Sequence, residues 1–385
     1  MAPDRRPGAG QSGMIYLDYQ ATTPIAPEVA VAMRPWLADK FANPHSPSRQ
    51  GREAAAAIEV ARGQVERAIG LPGGSLAFTG SATEALNWAL KGSLERAVPG
   101  RNRIVTAATE HAAVLDSCEW LAGQGADLTI LPVSRDGLID VELLDRELDE
   151  RVAIVAVMLV NNEMGVIQPI ADIAARAHAV GALMLCDAVQ GLGRATIPEG
   201  PDLVAVSAHK IHGPKGIGGL WMRSGTEPAT LIHGGGQERG LRSGTLSPAL
   251  CAGFGAAAKL ASERDADDKA HVERLWDTGI GVLGDRWTIN GSTNERYRGN
   301  LNIRREGVDG ARLIADLRDI ALSLGSACAS GSGRPSHVLR ALGLTPQQAR
   351  SSLRIGFGRY TSEAELIDAL SRIDSTGRAQ ESVAA

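Results

Sequence analysis

The sequence predicts an α/β fold: a mostly parallel sheet covered on both faces, followed by a smaller α+β unit. Three observations lead there. Short apolar runs alternate with longer amphipathic ones, as in consecutive strand–helix–strand units. The run AIVAVMLV (Ala153–Val160) has no polar position, as a strand buried on both faces requires. After about residue 260 the pattern changes to long charged helical stretches and then to short strands and helices.

The first helix is predicted over Ser48–Ile69 and the first strand over Ser75–Thr79. The helix Ala82–Lys91 follows, then the strand Ile104–Ala107, the helix Ala112–Ala122 and the strand Leu128–Leu131. Ala153–Leu159 is the most apolar strand, and the helix Ile170–Val180 leads into Leu183–Cys186, Leu203–Ser207 and Gly219–Met222, making seven strands. Leu246–Glu263 and Ala270–Leu283 read as long helices. The smaller unit reads as strand Leu301–Ile303, helix Gly310–Leu317, strand Ala321–Leu324, a Gly/Ser loop, helix Ser336–Ala341, strand Ser352–Gly356 and helix Ser362–Arg372. The expected organisation is a disordered leader (1–13), a large domain (14–262), a small domain (263–375) and a loose tail (376–385). Met14 is an alternative start, and the residues just after it are expected to pack with the small domain.

Composition excludes several function classes. The 385 residues carry 40 Lys+Arg against 44 Asp+Glu, a net charge of −4. That balance disfavours a protein that grips nucleic acid with its own basic field. No apolar run is long enough to span a membrane, the leader is polar, and the expectation is a cytoplasmic protein. The four cysteines, Cys118, Cys186, Cys251 and Cys328, have no zinc or redox spacing. Three read as reduced structural thiols, and no resident metal is expected.

In an open α/β sheet, ligands collect at the C-terminal ends of the strands. The residues suited to chemistry stand there. In TGSATEALN (Thr79–Asn87) a strand gives way to a helix near Ala82. The free N–H groups of that helix start and the Thr83 hydroxyl suit a phosphate, while taken alone the segment reads first as a capping box of Ser81 and Glu84. Asp187 ends a strand in LCDAVQ, with Gln190 three residues on. It needs a partner for its charge, such as a protonated pyridine nitrogen, or it serves as a helix cap. VSAHKIHGPKG (Val206–Gly216) delivers Ser207, His209 and Lys210 from a strand end. A lysine held there can lose its proton and attack a carbonyl. A metal reading of His209 with His212 lacks a third ligand. His111, after Glu110, could stack on an aromatic cofactor or simply start a helix. In HGGGQERGLRSGT (His233–Thr245), Arg242 and Thr245 suit anions; a flexible linker is the alternative, which the clustering of Arg239, Arg242 and Thr245 disfavours. Cys328 sits among Gly325, Ser326, Ser330, Gly331, Ser332 and Gly333, a composition that predicts a mobile loop and a nucleophile that travels.

Nine segments stand in an order that resembles the class V aminotransferase-like family of fold-type I pyridoxal 5′-phosphate enzymes, and most closely the group I cysteine desulfurases (NifS/IscS type). They are YLDYQATTP (Tyr16–Pro24), NPHS (Asn43–Ser46), TEHAAVLD (Thr109–Asp116), VNNEMGVIQPI (Val160–Ile170), SAHKIHGPKGIG (Ser207–Gly218), HGGGQERGLRSGT (His233–Thr245), GSAC (Gly325–Cys328), SHVLRALGL (Ser336–Leu344) and SSLRIGFGRYT (Ser351–Thr361). The resemblance spans roughly residues 14–375.

It implies a PLP-dependent transferase fold with a large and a small domain, a homodimer, and conversion of L-cysteine to L-alanine with the sulfur left as a persulfide. By this resemblance Lys210 is the Schiff-base lysine. His111 stacks on the cofactor ring, Asp187 pairs with its nitrogen, Gln190 bonds its phenolic oxygen, and Asn162 lies nearby. Ala82, Thr83, Ser207 and His209 hold the phosphate, and Thr245 reaches the phosphate in the neighbouring subunit. Arg354 clamps the substrate carboxylate with Asn43 close by. Cys328 accepts the sulfur, and it is also a candidate transient iron–sulfur ligand. The persulfide would feed a sulfur-acceptor protein in iron–sulfur assembly, tRNA thiolation or DNA phosphorothioation, with no direct contact between this chain and nucleic acid. Relatives that supply iron–sulfur scaffolds often carry a longer C-terminal tail than the one following Arg372. Selenocysteine lyase, or another class V PLP enzyme, is the alternative activity. A non-catalytic sulfur-carrier-binding protein would retain the fold without the cofactor.

Overall fold

The alternation of apolar residues along the central strands decides the layering. Val204 and Val206 point into one core cluster, whereas Leu203 and Ala205 point into another on the opposite face, the two-residue period of a strand buried on both sides. The computed structural model describes residues 13–324 and 335–384. Its main sheet has seven strands. They run in the spatial order Gly74–Thr79, Gly218–Arg223, Leu203–Ser207, Leu183–Asp187, Val152–Met158, Arg103–Ala107 and Asp127–Leu131. Only Gly218–Arg223 is antiparallel to its neighbours, and the other pairings are parallel. The C-terminal ends Thr79, Ala107, Met158, Asp187 and Ser207 therefore share one edge.

The helices that cover the sheet form as their sequences dictate. Arg49–Ile69 is capped by Ser48, whose hydroxyl accepts from Gly51 N, and ends at Gly70 with φ +77°, a left-handed stop suited to glycine. Asp265–Leu283 begins before the expected Ala270, because Asp265, Asp267 and Asp268 in its first turn favour a helix N-terminus. Three short helices escaped the sequence pattern: Pro27–Met33, Val141–Glu147 and Pro346–Arg350. No helix among the described residues is long and apolar enough to cross a membrane.

A second core contains Leu17, Trp276, Trp287, Leu301, Ile303, Leu353 and Leu370. Its sheet pairs Ser352–Gly356 with Asn300–Arg304, and the latter with Thr288–Ile289, all antiparallel. Ile15–Tyr16 pairs in parallel with Ile320–Ala321. The strand expected over Ala321–Leu324 is thus short and lies earlier, although Ser323 still bridges to Arg354.

The loose tail expected from residue 376 is a correction. The last helix runs Glu363–Ala384 without interruption. Glycine at 377 reads as a stop in sequence, yet here it lets the helix approach Trp287, whose ring atom Cζ2 would lie 3.2 Å from an added Cβ. Beyond it, Gln380 accepts from Asp309 N at 2.8 Å, and Glu381 pairs with Arg305 at 2.5 and 2.6 Å. The leader 1–12 and Ala385 lie outside the described residues.

The glycine-rich segment His233–Thr245 is not a free linker. Glu238 and Arg239 adopt φ of +48° and +59°, a region unfavourable to side-chain-bearing residues. Glu238 is held there by Arg62, at 2.7 and 2.9 Å, and by Phe78 N at 2.9 Å. Both partners are buried. Removing one member of such a pair leaves an uncompensated charge, at a cost of about 3–5 kcal/mol. Because Glu59 still touches Arg62, Glu238→Gln is expected to lower the unfolding free energy by about 3 kcal/mol, the low end of that range. Urea denaturation measures it, and an unchanged midpoint would show that the pair does not anchor the segment.

Candidate active site

The helix Ala82–Arg96 starts at the sheet edge. Ser81 Oγ accepts from Glu84 N at 3.2 Å, and Glu84 Oε2 accepts from Gly80 N at 2.7 Å. This capping exists alongside an open anion cradle, since the first N–H groups of a helix have no acceptor within it. Gly218 makes the cradle possible. A Cβ there would sit 2.6 Å from Ala82 N, so any side chain would push the helix start away. Ser207 and His209 face the same space. Burial, reinforced by Lys210, Lys215 and Arg194, holds the His209 pKa down at about 4. It is therefore neutral at pH 7, with Nδ1 3.2 Å from Thr22 Oγ1.

Asp187 is buried at its strand end and accepts from Val189 N at 2.9 Å. Burial raises its pKa, while the Val189 N–H, His111 and Lys210 act in the opposite direction. Among the described residues it forms no ion pair, so its carboxylate is open to a cationic donor brought by a ligand. His111 caps the helix Ala112–Gly123, its Nδ1 accepting from Ala113 N at 3.1 Å. That bond leaves Nε2 as the protonated nitrogen of the neutral ring. Lys210 Nζ donates to Gln20 O at 2.5 Å and Ala21 O at 2.8 Å. Burial lowers its pKa to about 7, Arg194 and Arg354 adding repulsion while Asp18 and Asp187 oppose it. Gln190 Nε2 donates to Gln20 O at 2.9 Å, and its Oε1 accepts from Arg194.

Arg354 comes from the second core, on the strand Ser352–Gly356, flanked by Asn302 on one side and Ser323 on the other. It is 1% exposed. Its Nη1 donates to Asn162 O at 3.1 Å and its Nη2 to Asp18 Oδ1 at 2.8 Å. Its Nε is buried without a partner. This cation thus reaches across from one core into the cavity of the other, with donor capacity to spare.

Ten residues singled out in sequence line one cavity of about 380 Å³: Ala82, Thr83, His111, Asn162, Asp187, Gln190, Ser207, His209, Lys210 and Arg354. That size suits a small-molecule site. Asn43 and Thr245 are exposed and do not line it. Asn43 Oδ1 instead accepts from His45 N at 2.9 Å. Arg242 is committed to Glu84, at 2.7 and 3.1 Å, and so is already neutralised, whereas Arg239 donates only to the Ser75 hydroxyl at 2.9 Å and does not line the cavity. Cys328 lies outside the described residues. Cys118, Cys186 and Cys251 are buried free thiols, each pushed up in pKa by burial, Cys118 and Cys251 to about 12, which makes them inert. No cluster of His, Cys, Asp and Glu among the described residues could hold a metal.

Sequence reasoning missed three residues here. Asp18 stands inside the quoted YLDYQATTP segment, yet its partner Arg354 is 336 positions away. Glu110 is fully buried, and burial pushes its carboxyl well above the ordinary carboxylate range. Its Oε1 accepts from Met158 N at 2.9 Å and its Oε2 has no partner. Arg194 lies four positions after Gln190 and bonds the Lys210 carbonyl at 2.8 Å.

The residues present fit pyridoxal phosphate. An anion cradle kept open by Gly218, an unpaired buried carboxylate at Asp187 and an amine poised near neutrality at Lys210 are the groups that a phosphate, a pyridinium and an aldehyde need. Comparison with known proteins agrees. The aminotransferase class-V profile matches residues 15–370. The cysteine desulfurase IscS of Rickettsia akari (strain Hartford) is 43% identical over 370 residues, covering 94% of this chain and 90% of that protein. A solved NifS-like protein superposes with TM-score 0.87 at 32% identity, covering 94% of this chain and 99% of that one. The structure described as SspA in complex with cysteine superposes with TM-score 0.82 at 32% identity, over 90% of this chain and all (100%) of that one. The chain therefore belongs to the class-V aminotransferase family of PLP-dependent enzymes and, within it, to the cysteine desulfurases.

Proposed function

We propose that this enzyme takes sulfur from L-cysteine, releases L-alanine and leaves a persulfide on Cys328 for an acceptor protein. The observation that carries the reading is the meeting in one cavity of Lys210, Asp187 and the Ala82–Thr83 cradle with the buried Arg354.

Ala82, Thr83, Ser207 and His209 would hold the cofactor phosphate, Asp187 its ring nitrogen, and Gln190 its phenolic oxygen, with His111 and Asn162 beside the ring. When bound, pyridoxal phosphate supplies an electron sink for the pair left at the substrate Cα. Arg354 clamps the substrate carboxylate, and Asp18 keeps the guanidinium aimed. Lys210 Nζ, neutral above about pH 7, removes the Cα proton and returns it on the way to alanine. His111 Nε2 is placed to exchange a proton with the substrate thiol. Cys328 Sγ, as thiolate, attacks the substrate sulfur. The new S–S bond forms as the C–S bond breaks, its electron pair stays with the carbon skeleton, and a proton completes L-alanine.

The exposure of Thr245 suits the reading in which it serves a second copy's cofactor, and Asn43 would join the substrate site only through such assembly or movement. The three buried thiols suit a reducing cytoplasm. With a net charge of −4, any nucleic-acid step downstream falls to the acceptor.

Incubating the full chain with pyridoxal phosphate and L-cysteine is expected to yield alanine and protein-bound persulfide in equal amounts. Absence of alanine overturns the reading, and selenocysteine as substrate in a parallel arm separates the lyase activity. Arg354→Ala removes charge-assisted bonds worth about 1.5–3 kcal/mol each, so KM for cysteine is expected to rise about 10- to 100-fold with a smaller change in kcat. An unaltered KM would take Arg354 out of the carboxylate site.

A further inference from the structure

We infer that Arg194 is a positioning residue of this cavity: it fixes the Gln190 amide and the Lys210 backbone, and it keeps an unneutralised positive charge behind the Lys210 amine. The inference rests on the reading of Lys210 as the lysine that carries the cofactor.

Arg194 is half-buried. Its Nη1 donates to Gln190 Oε1. Its Nη2 donates to Lys210 O at 2.8 Å and to Tyr19 O at 3.2 Å. It also stands 5.4 Å from the centroid of the Tyr297 ring. All of these partners are neutral, and no carboxylate among the described residues pairs with it. Burial lowers the pKa of Arg194 itself, but a guanidinium starts so high that it keeps its proton at neutral pH.

Two consequences follow from donor chemistry and charge. Arginine has no acceptor, so the Gln190 amide must turn its oxygen to Arg194. Its NH₂ is then left as the group presented on the other side, where it now meets Gln20 O at 2.9 Å. A glutamine free to flip could present either end, whereas this one is set as a donor. The second consequence concerns Lys210. Arg194 and Arg354 face it as cations, Asp18 and Asp187 as carboxylates, and the neighbouring His209 is neutral. Of the charged neighbours, Arg194 acts most strongly, and it opposes the protonated amine. A like charge disfavours protonation. Taking it away must raise the pH at which the nitrogen loses its proton.

The test uses the full chain loaded with pyridoxal phosphate, its visible band titrated against pH, and the stripped full chain, its rate of cofactor uptake followed against pH. Arg194→Gln and Arg194→Met, checked for retained fold by circular dichroism, are expected to move both midpoints upward by about one pH unit. Arg194→Lys keeps the charge but cannot bridge Gln190 and the Lys210 backbone together. Its midpoint is expected within about 0.3 unit of wild type, with uptake slowed at least about threefold. Unmoved midpoints in the neutral variants, or a lysine variant displaced as far as they are, overturn the charge role. Wild-type uptake in the lysine variant overturns the positioning role, and this arm stands even if the neutral variants do not fold. A wild-type chain that takes up no cofactor defeats the parent reading instead, whereas a chain that loads normally with unmoved midpoints defeats this inference alone.

Discussion

Lys210→Ala is expected to abolish the visible absorbance of bound pyridoxal phosphate and to reduce turnover at least about 10³-fold. The cavity has two lysines in its lining, Lys210 and Lys215, so the test discriminates between them. Lys215 is exposed and does not stand at a strand end. Lys210 is taken out of water, faced by two guanidinium groups, and lowered to about 7. Half of its amines are then neutral at that pH and able to attack an aldehyde. The sign follows directly: below about pH 7 the ammonium form dominates and uptake slows, and above it uptake approaches a plateau. Lys215→Ala is expected to keep the band. A Lys210→Ala protein that retains the covalent chromophore and reacts with cysteine at the wild-type rate would remove Lys210 from the chemistry.

What could be read in the sequence was whatever a strand end announces. Asp187, Ser207 and Lys210 each follow an apolar run that has to be a buried strand, and the parallel sheet brings those ends to one edge. Their chemistry was legible because their neighbours in sequence are also their neighbours in space. Asp18 and Glu110 were not legible as participants. The role of Asp18 depends on Arg354, which arrives from the second core. Glu110 is defined by burial beneath Met158, which local pattern does not show. Arg194 is four positions from Gln190 in sequence, but its contact with Tyr297 depends on the packing of distant segments. The long final helix was missed for a related reason. Gly377 carries a local stop signal, and contacts with Trp287, Asp309 and Arg305 override it. Arg242 shows the reverse error: an anion-binding composition whose cation is already spent on Glu84.

Cys328→Ser is expected to leave cofactor loading and cysteine binding intact while lowering persulfide formation and multiple turnover at least about 10³-fold. Cys328 lies outside the described residues, and the chain on either side of it is anchored beside the cavity. Ser323 is backbone-paired with Arg354, at 2.7 and 3.2 Å, and Arg354 lines the cavity. On the far side, Ser336 bonds Glu163, next to the cavity residue Asn162, and His337 Nε2 lies 2.9 Å from the carbonyl of Glu110, next to His111. Both tethers therefore stand at the rim of the site. Cys328 is five residues from Ser323, and five residues of any conformation span at most about 18 Å, so the thiol cannot lie farther than about that from the strand that carries Arg354. The other three thiols are buried and pushed high in pKa, so none can substitute as a thiolate. Serine keeps the size of the side chain and loses the soft nucleophile, so the step that fails is sulfur transfer alone. Mass spectrometry after one turnover is expected to find a 328-centred persulfide in the wild-type chain and none in the variant. A persulfide on Cys118, Cys186 or Cys251 instead, or alanine released by the serine variant at the wild-type rate, would overturn the assignment.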